Sequence, residues 1–137
     1  MDYTNIIDLI FEKQLRLSKL KQDKWNSKNS VQLTNTEWSI LALLYGKLPT
    51  ISEVAQQLGI TRQATHKTMK ALDAKGLIVV NPVENNHRNK CIKLTPLGEE
   101  IYHENQKIKN EMEKEIGQKI GQDKLYLLKE LLKGDWN

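Results

Sequence analysis

The chain has 137 residues, of which 28% are charged and 39% hydrophobic, and its formal net charge is +4, as expected for one ordinary globular domain. No apolar run approaches the roughly 20 residues of a membrane span, and the stretch MDYTNIIDLIFEKQ carries acids where an export signal has basic residues. The single cysteine, Cys91, cannot form an internal disulfide. These features predict a cytoplasmic protein without a membrane partner.

The N-terminal part of the chain predicts three helices. Aliphatic residues near helical spacing over 6–20 indicate a long amphipathic helix, which the polar stretch 25–32 should end. Thr34 followed by Glu37 is a capping-box pattern, in which the hydroxyl and the carboxylate each accept a backbone N–H, and it starts a second helix. The segment TISE at 50–53 repeats this pattern and opens a short third helix.

A fourth helix should follow a tight turn. It is predicted to start after Thr61 and to run to about Lys75, where Gly76 supplies the C-terminal cap. The small residues Ala55 and Gly59, in the third helix and the turn, are expected to let the two helices approach closely. This segment therefore predicts a helix–turn–helix.

The periodicity then changes to that of strands. The run GLIVV at 76–80 and the alternating KCIKL at 90–94 predict two strands joined by a polar loop, which makes a β-hairpin. A helix–turn–helix followed directly by such a hairpin is the winged-helix arrangement.

The C-terminal part predicts two more helices. Thr95 is placed as an N-cap and Pro96 as the first helical residue of a long helix, which should end at Gly121 before a short apolar one. An apolar stripe runs along the long helix: Ile101, Ile108, Met112, Ile116 and Ile120. The predicted fold is thus mainly α with a small β-hairpin wing.

The fourth helix has one face without a carboxylate. With Arg62 as the reference on a helix of 3.6 residues per turn, four polar residues lie at roughly 40 to 140° around the axis: His66, Lys70, Gln63 and Lys67. Four others lie at roughly 240 to 340° and should pack inward: Thr68, Leu72, Thr65 and Met69. Surface helices usually mix charges of both signs, so a uniformly cationic face favours contact with nucleic acid.

The distribution of charge supports this interpretation. Residues 61–93 hold seven Lys or Arg against two acids, a net charge of +5, while the rest of the chain holds 14 basic residues and 15 acids. A basic patch of this kind attracts phosphate, although a solvated face that happens to be basic is a common alternative. In the first turn of the helix, Arg62 can recognise guanine and Gln63 can recognise adenine in a major groove.

The sequence also resembles a known family. The stretches TISEVAQQLGITRQATHKTMKALDAKGLIVV and ENNHRNKCIKLTPLGEE, with LTNTEWSIL upstream, are similar to the MarR (multiple-antibiotic-resistance regulator) family of bacterial winged-helix repressors. The resemblance covers essentially the whole chain. It implies a winged helix–turn–helix lobe at 34–95, and dimerisation helices at 1–30 and 96–137 that interlock with those of a second copy.

The resemblance assigns a role to the wing. Arg88 matches the arginine that the family inserts into the DNA minor groove, where narrow A·T-rich segments favour arginine. The family pattern has Asp two positions earlier, whereas this chain has Asn86, so a carboxylate that would brace the wing is missing. The predicted DNA contacts are therefore Thr61, Arg62, Gln63, His66, Lys67, Lys70, Arg88 and Lys90.

An effector site is implied by the resemblance alone. The family binds small, often aromatic, ligands between the DNA-binding lobe and the dimerisation helices, and Trp25, Trp38 and Tyr45 are the candidates near that junction. Packing in the core is the more common role of such aromatic residues.

Other chemistry is sparse in this sequence. The histidines His66, His87 and His103 are not paired with one another or with Cys91 at a metal-ligand spacing, so no metal or other cofactor is predicted. Cys91 should be a small packed residue on a strand. No nucleophile motif or phosphate-binding loop is present, and no enzyme activity is predicted.

The sequence therefore predicts a dimeric, sequence-specific transcriptional repressor that binds a pseudo-palindromic double-stranded DNA operator and is released by a small aromatic effector. The alternative is a winged-helix module that binds another protein without sequence-specific DNA binding. The cationic helix face and the wing arginine argue against that alternative, which a neutral or acidic face would have supported.

Overall fold

The computed structural model describes residues 4–83 and 86–137, with the side chains from 82 to 89 left undescribed. The described chain divides into two compact units. One is formed by residues up to 30 together with 105–137, and the other by residues 31–104. The elements in chain order are α1 (Ile6–Lys28), α2 (Asn35–Leu44), α3 (Ile51–Leu58), α4 (Arg62–Ala74), β1 (Ile78–Val83), β2 (Asn86–Leu94), α5 (Pro96–Ile120) and α6 (Gln122–Lys133). The predicted fold class, mainly helical with one hairpin, is confirmed.

The first helix ends within the polar stretch that the sequence indicated. Trp25 is completely buried, and α1 continues past it to Lys28, where the N–H of the C-cap Asn29 donates to the Trp25 carbonyl. The prediction that the polar stretch 25–32 ends the helix is therefore confirmed. Polar residues permit a helix to continue, and the burial of a large aromatic side chain favours the helical position here.

The caps of α2 and α3 differ in completeness. At α2 the predicted capping box is present, since Glu37 N donates to Thr34 Oγ1 (3.1 Å) and Thr34 N donates to Glu37 Oε1 (2.9 Å). At α3 the Thr50 hydroxyl accepts from Glu53 N (3.1 Å), but the Glu53 carboxylate accepts from that same hydroxyl (3.3 Å) instead of the cap N–H. The first prediction is confirmed in full and the second only for the hydroxyl cap.

The turn between α3 and α4 depends on the conformation of Gly59. This residue has φ +65°, and a Cβ built on it would meet nothing within 4 Å. Glycine is therefore favoured here because it readily adopts the left-handed backbone conformation, and not because it allows the close helix approach that we predicted. Ala55 is buried, and its carbonyl accepts from Ile60 N (3.2 Å), which closes the turn.

The hairpin is longer than predicted. The antiparallel pairing runs from Ile78 opposite Leu94 out to Pro82 opposite Lys90, with a register shift after Pro82. Both strands therefore extend into the stretch that we had interpreted as a loop. The edge of β2 is covered in part by the segment before α3, because Ile92 N donates to Pro49 O (3.0 Å).

The long helix α5 begins as predicted. Gly98 N donates to Thr95 Oγ1 (3.0 Å), which is the expected N-cap, and Pro96 occupies the first helical position. Of the predicted stripe, Ile101, Ile108 and Met112 are buried, whereas Ile120 remains exposed at the C-terminal end. None of the described helices is long and apolar enough to cross a membrane.

Candidate nucleic-acid interface

The N-terminus of α4 is fixed by Thr61. The Thr61 hydroxyl accepts from Ala64 N (3.0 Å), and the Thr61 carbonyl accepts from both the N–H and the hydroxyl of Thr65. Thr61 was predicted as a DNA contact, and in the structure it is the N-cap that sets where the following side chains project.

The two faces of α4 separate as the helical geometry predicted. Thr65, Met69 and Leu72 are buried against the lobe formed by residues 31–104. The opposite face is exposed and carries Arg62, Gln63, His66, Lys67 and Lys70. A shallow open depression on this face is lined by Thr61, Gln63, Ala64, His66, Lys67 and Lys70. We call this face, from Thr61 to Lys70, the α4 face.

The electrostatics of the α4 face differ from those of the other helices. Each of the other five helices in the described part of the chain has an acidic residue in its first turn, whereas α4 has none; these residues are Asp8, Glu37, Glu53, Glu99 and Asp123. A carboxylate there would offset the positive end of the helix dipole. Without it, the positive end of α4 and the Arg62 guanidinium both attract an anion.

The C-terminal end of α4 is held by hydrogen bonds and by one ion pair. Leu77 N donates to Leu72 O (3.1 Å) across Gly76, which has φ +75° and ends the helix as predicted. Lys75 Nζ lies 2.7 Å from Glu37 Oε2 and donates to Gln32 O, also at 2.7 Å. Lys75 was counted in the basic patch, but the carboxylate of Glu37 neutralises its charge.

The Glu37–Lys75 pair is a feature that sequence reasoning missed. Glu37 was interpreted only as a capping residue, yet its side chain is 4% exposed and one of its oxygens binds Lys75, 38 positions away. A hydrophobic pattern cannot reveal such a pair. The sequence offered only a lysine at the end of one helix and an acid on another helix. This combination is too common to predict a specific ion pair.

The hairpin contributes an exposed lysine near the tip. Lys90 lies on β2 opposite Pro82 and is exposed, and Lys93 is exposed farther from the tip, opposite Val79. The backbone of Arg88 is part of β2, but its side chain and that of Asn86 lie outside the described residues. The predicted role of Arg88 therefore stays a prediction.

The three aromatic candidates for an effector site have different environments. Trp25 and Trp38 are buried, the first in the unit that contains α1 and the second in the lobe of residues 31–104. Tyr45 is 40% exposed and stacks on Tyr102, with ring centroids 4.3 Å apart. His103 meets the Tyr45 ring edge-on at 5.1 Å. Tyr102 and His103 were not among the predicted residues.

One buried lysine and the free cysteine complete the titratable groups of interest. Burial and, to a smaller extent, the nearby charge of Lys109 lower the pKa of Lys21 on α1 from its usual 10.5 to about 8. Cys91 is half-buried on β2 opposite Asn81 and pairs in a single β-bridge with Thr50. Within the described ranges, no group of three His, Cys, Asp or Glu could hold a metal ion.

Comparison with known proteins assigns the family. A sequence model of the MarR family matches residues 31–89, which include the whole of α4 and β1. FarR, an HTH-type transcriptional regulator of Neisseria gonorrhoeae, is 32% identical over 106 residues, which cover 76% of this chain and 72% of FarR.

Solved structures agree with this assignment. The crystal structure of NadR in complex with 4-hydroxyphenylacetate is 29% identical with a TM-score of 0.72, over 93% of this chain and 89% of NadR. The transcriptional repressor CouR, bound to a 23-mer DNA duplex, shares the fold with a TM-score of 0.81 and 23% identity, over 97% of this chain and 96% of CouR. The chain, with its winged helix–turn–helix and its similarity to FarR, belongs to the MarR family of transcriptional regulators.

Proposed function

We propose that this regulator is a homodimeric repressor that binds a pseudo-palindromic double-stranded DNA operator in the cytoplasm and is released by a small aromatic effector. The observation that carries the proposal is the α4 face: an exposed, acid-free surface on a helix whose opposite side is buried. The second helix of a helix–turn–helix enters the major groove with its N-terminal residues toward the bases. CouR, a transcriptional repressor of the same fold, was solved bound to a 23-mer DNA duplex, which supports DNA as the partner.

The positions of the side chains on the α4 face suggest a division of roles. Arg62 and Gln63 lie in the first turn, so they are the residues that we assign to base edges, guanine for Arg62 and adenine for Gln63. Lys67 and Lys70 lie one and two turns farther along and are assigned to phosphates. His66 lies between the two sets. From the hairpin, Lys90 is assigned to phosphate and Arg88 to the minor groove.

Dimerisation is supported by apolar surface on the terminal helices. In α1, Ile6, Ile7 and Phe11 are about half exposed or more, and in α6 no residue is buried while Tyr126 is 69% exposed. Monomeric proteins rarely expose so many large apolar side chains on neighbouring turns, and such surface marks an interaction site. A second copy is the occupant that a two-fold symmetric operator requires.

The effector proposal is supported by a relative with a bound ligand. NadR was solved in complex with 4-hydroxyphenylacetate, a small aromatic acid. In the present chain Trp25, Trp38 and Tyr45 are the aromatic side chains that we assign to effector binding, and the exposed Tyr45–Tyr102 stack adds a further aromatic surface. Titration of 4-hydroxyphenylacetate and related aromatic acids, followed by tryptophan fluorescence and by release of bound DNA, tests this assignment.

Selection of bound sequences from a random duplex pool, followed by a salt titration, tests the DNA-binding proposal. We expect a pseudo-palindromic motif to be enriched. If three lysines per protomer contact phosphates, a dimer makes about six contacts, and affinity should fall about 10³-fold between 50 and 200 mM salt. Failure to enrich any sequence, together with binding that stays flat as salt rises, would favour a protein-binding module instead.

A further inference from the structure

The ion pair between α2 and the C-cap of α4 uses both oxygens of the Glu37 carboxylate, which is buried, whereas the Lys75 side chain is 33% exposed. Glu37 Oε1 accepts from Thr34 N (2.9 Å) as part of the capping box, and Glu37 Oε2 binds Lys75 Nζ (2.7 Å). Lys75 Nζ also donates to Gln32 O (2.7 Å). The ammonium group therefore connects three parts of the lobe, namely the segment before α2, the start of α2 and the end of α4.

Lys75 directly follows Ala74, the last residue of α4. It is the C-cap of α4, and its N–H donates to Ala71 O (3.2 Å). The other end of α4 is fixed by the Gly59 turn and by the Thr61 cap. Gln32, in turn, belongs to the short connection that leads from α1 into α2. The ion pair thus adds a side-chain link to the backbone hydrogen bonds that hold the C-terminal end of α4.

The length of α4 makes its orientation critical. Thirteen residues span about 20 Å, so a tilt of about 5° displaces one end of the helix by about 1.7 Å relative to the other. A bidentate contact between a side chain and a base tolerates much less than this, because hydrogen bonds need donor–acceptor distances of about 2.7–3.2 Å. A contact to phosphate by a long, flexible lysine tolerates more.

We propose that Glu37 and Lys75 are positioning residues, which hold α4 at the angle that sequence-specific reading of DNA requires, and that Lys75 is not itself a DNA ligand. The proposal rests on the proposed function, since it concerns how the same α4 face reads its operator. The proposal divides the lysines of α4 and of its C-cap into two classes. Lys67 and Lys70 bind DNA, whereas Lys75 sets the angle at which α4 presents its exposed face to the DNA.

The variant Glu37→Gln distinguishes a phosphate-binding role of Lys75 from a positioning role, because the two roles predict opposite changes in DNA affinity. Glutamine retains an oxygen that can accept from Thr34 N, so the start of α2 keeps its cap. If Lys75 were a phosphate ligand, removing the neighbouring negative charge would free it and tighten DNA binding. If Lys75 is a positioning residue, the same change loosens α4 and weakens operator binding.

The experiment measures the affinity of full-length variants for the selected operator and for a random duplex over a range of salt. We expect Glu37→Gln and Lys75→Met to lose operator affinity at least tenfold, with random-duplex affinity within about threefold and an unchanged salt slope. Lys75→Arg, which keeps the charge, should retain most of the selectivity. The matched control Lys70→Met should weaken both duplexes alike and reduce the salt slope by about 1.

Three results would overturn the inference. These are tighter operator binding by Glu37→Gln, an equal loss on both duplexes for Lys75→Met, and full selectivity in a folded variant that lacks the pair. If either single variant fails to fold, the double variant Glu37→Gln/Lys75→Met, which buries no unpaired charge, is measured instead and should be folded but unselective. Absence of DNA binding by the wild type would refute the proposed function together with this inference.

Discussion

Replacement of Gly98 by alanine should destabilise the protein, although the same change inside an ordinary helix stabilises it. Gly98 lies in the first turn of α5, where a Cβ would overlap the carbonyl oxygen of Leu77 and lie 3.1 Å from its carbonyl carbon. It would also lie 3.3 Å from Leu94 Cδ2. The backbone near Leu77 must therefore move by about 1 Å to restore van der Waals contact.

The magnitude follows from the groups around that carbonyl. Leu77 O accepts from Thr95 N (3.0 Å), and Thr95 Oγ1 donates to Gly76 O (2.6 Å), so a shift of Leu77 disturbs both hydrogen bonds. Overpacking costs about 1–3 kcal/mol and each weakened hydrogen bond about 1 kcal/mol. The better helix propensity of alanine offsets about 1 kcal/mol of this destabilisation. The net loss in the free energy of unfolding should be about 2–4 kcal/mol.

Gly117 in the same helix provides a matched control. A Cβ there would meet Gln122 Nε2 at 2.6 Å and Leu125 Cδ2 at 3.0 Å, which are ends of side chains and can move. Gly117→Ala should therefore change stability by less than about 1 kcal/mol in either direction. Denaturant unfolding followed by circular dichroism, at one protomer concentration for all variants, measures both effects. Equal stability of Gly98→Ala and the wild type would refute the reasoning.

Three further predictions concern recognition, assembly and pH. Arg62→Ala should lose about 1–3 kcal/mol of discrimination between operator and random DNA, whereas Lys67→Ala should weaken both alike, and a uniform loss for Arg62→Ala would reassign it to phosphate. Deletion of residues 121–137 removes the exposed apolar helix α6 and should give a monomeric or poorly folded protein in sedimentation, while a full-length monomer at micromolar concentration would refute the dimer. Because the pKa of Lys21 is lowered to about 8, the unfolded chain binds more protons between about pH 8 and 10.5, so stability should rise with pH across that window. Lys21→Met should remove this part of the rise, and an identical pH profile for the two proteins would contradict it.

Local features of this chain were predictable because their causes lie within a few residues of one another. The capping box of Thr34 and Glu37 spans one helical turn, and the separation of Arg62 and Lys67 from buried Leu72 follows from helical geometry alone. The change from helical to alternating periodicity likewise revealed the hairpin. These signals were enough for the fold class and for the family.

What the sequence did not reveal depends on contacts between distant segments. Trp25 was not recognised as a fully buried residue near the end of α1, and the charge of Lys75 is paired with Glu37 across 38 positions of sequence. Gly98 was ordinary in the sequence, yet it is required because α5 starts against the Leu77 carbonyl. The sequence by itself determined which residues form the exposed α4 face. Only the tertiary structure decided that the charge of nearby Lys75 is paired with Glu37, because the partner of a lysine depends on packing and not on periodicity.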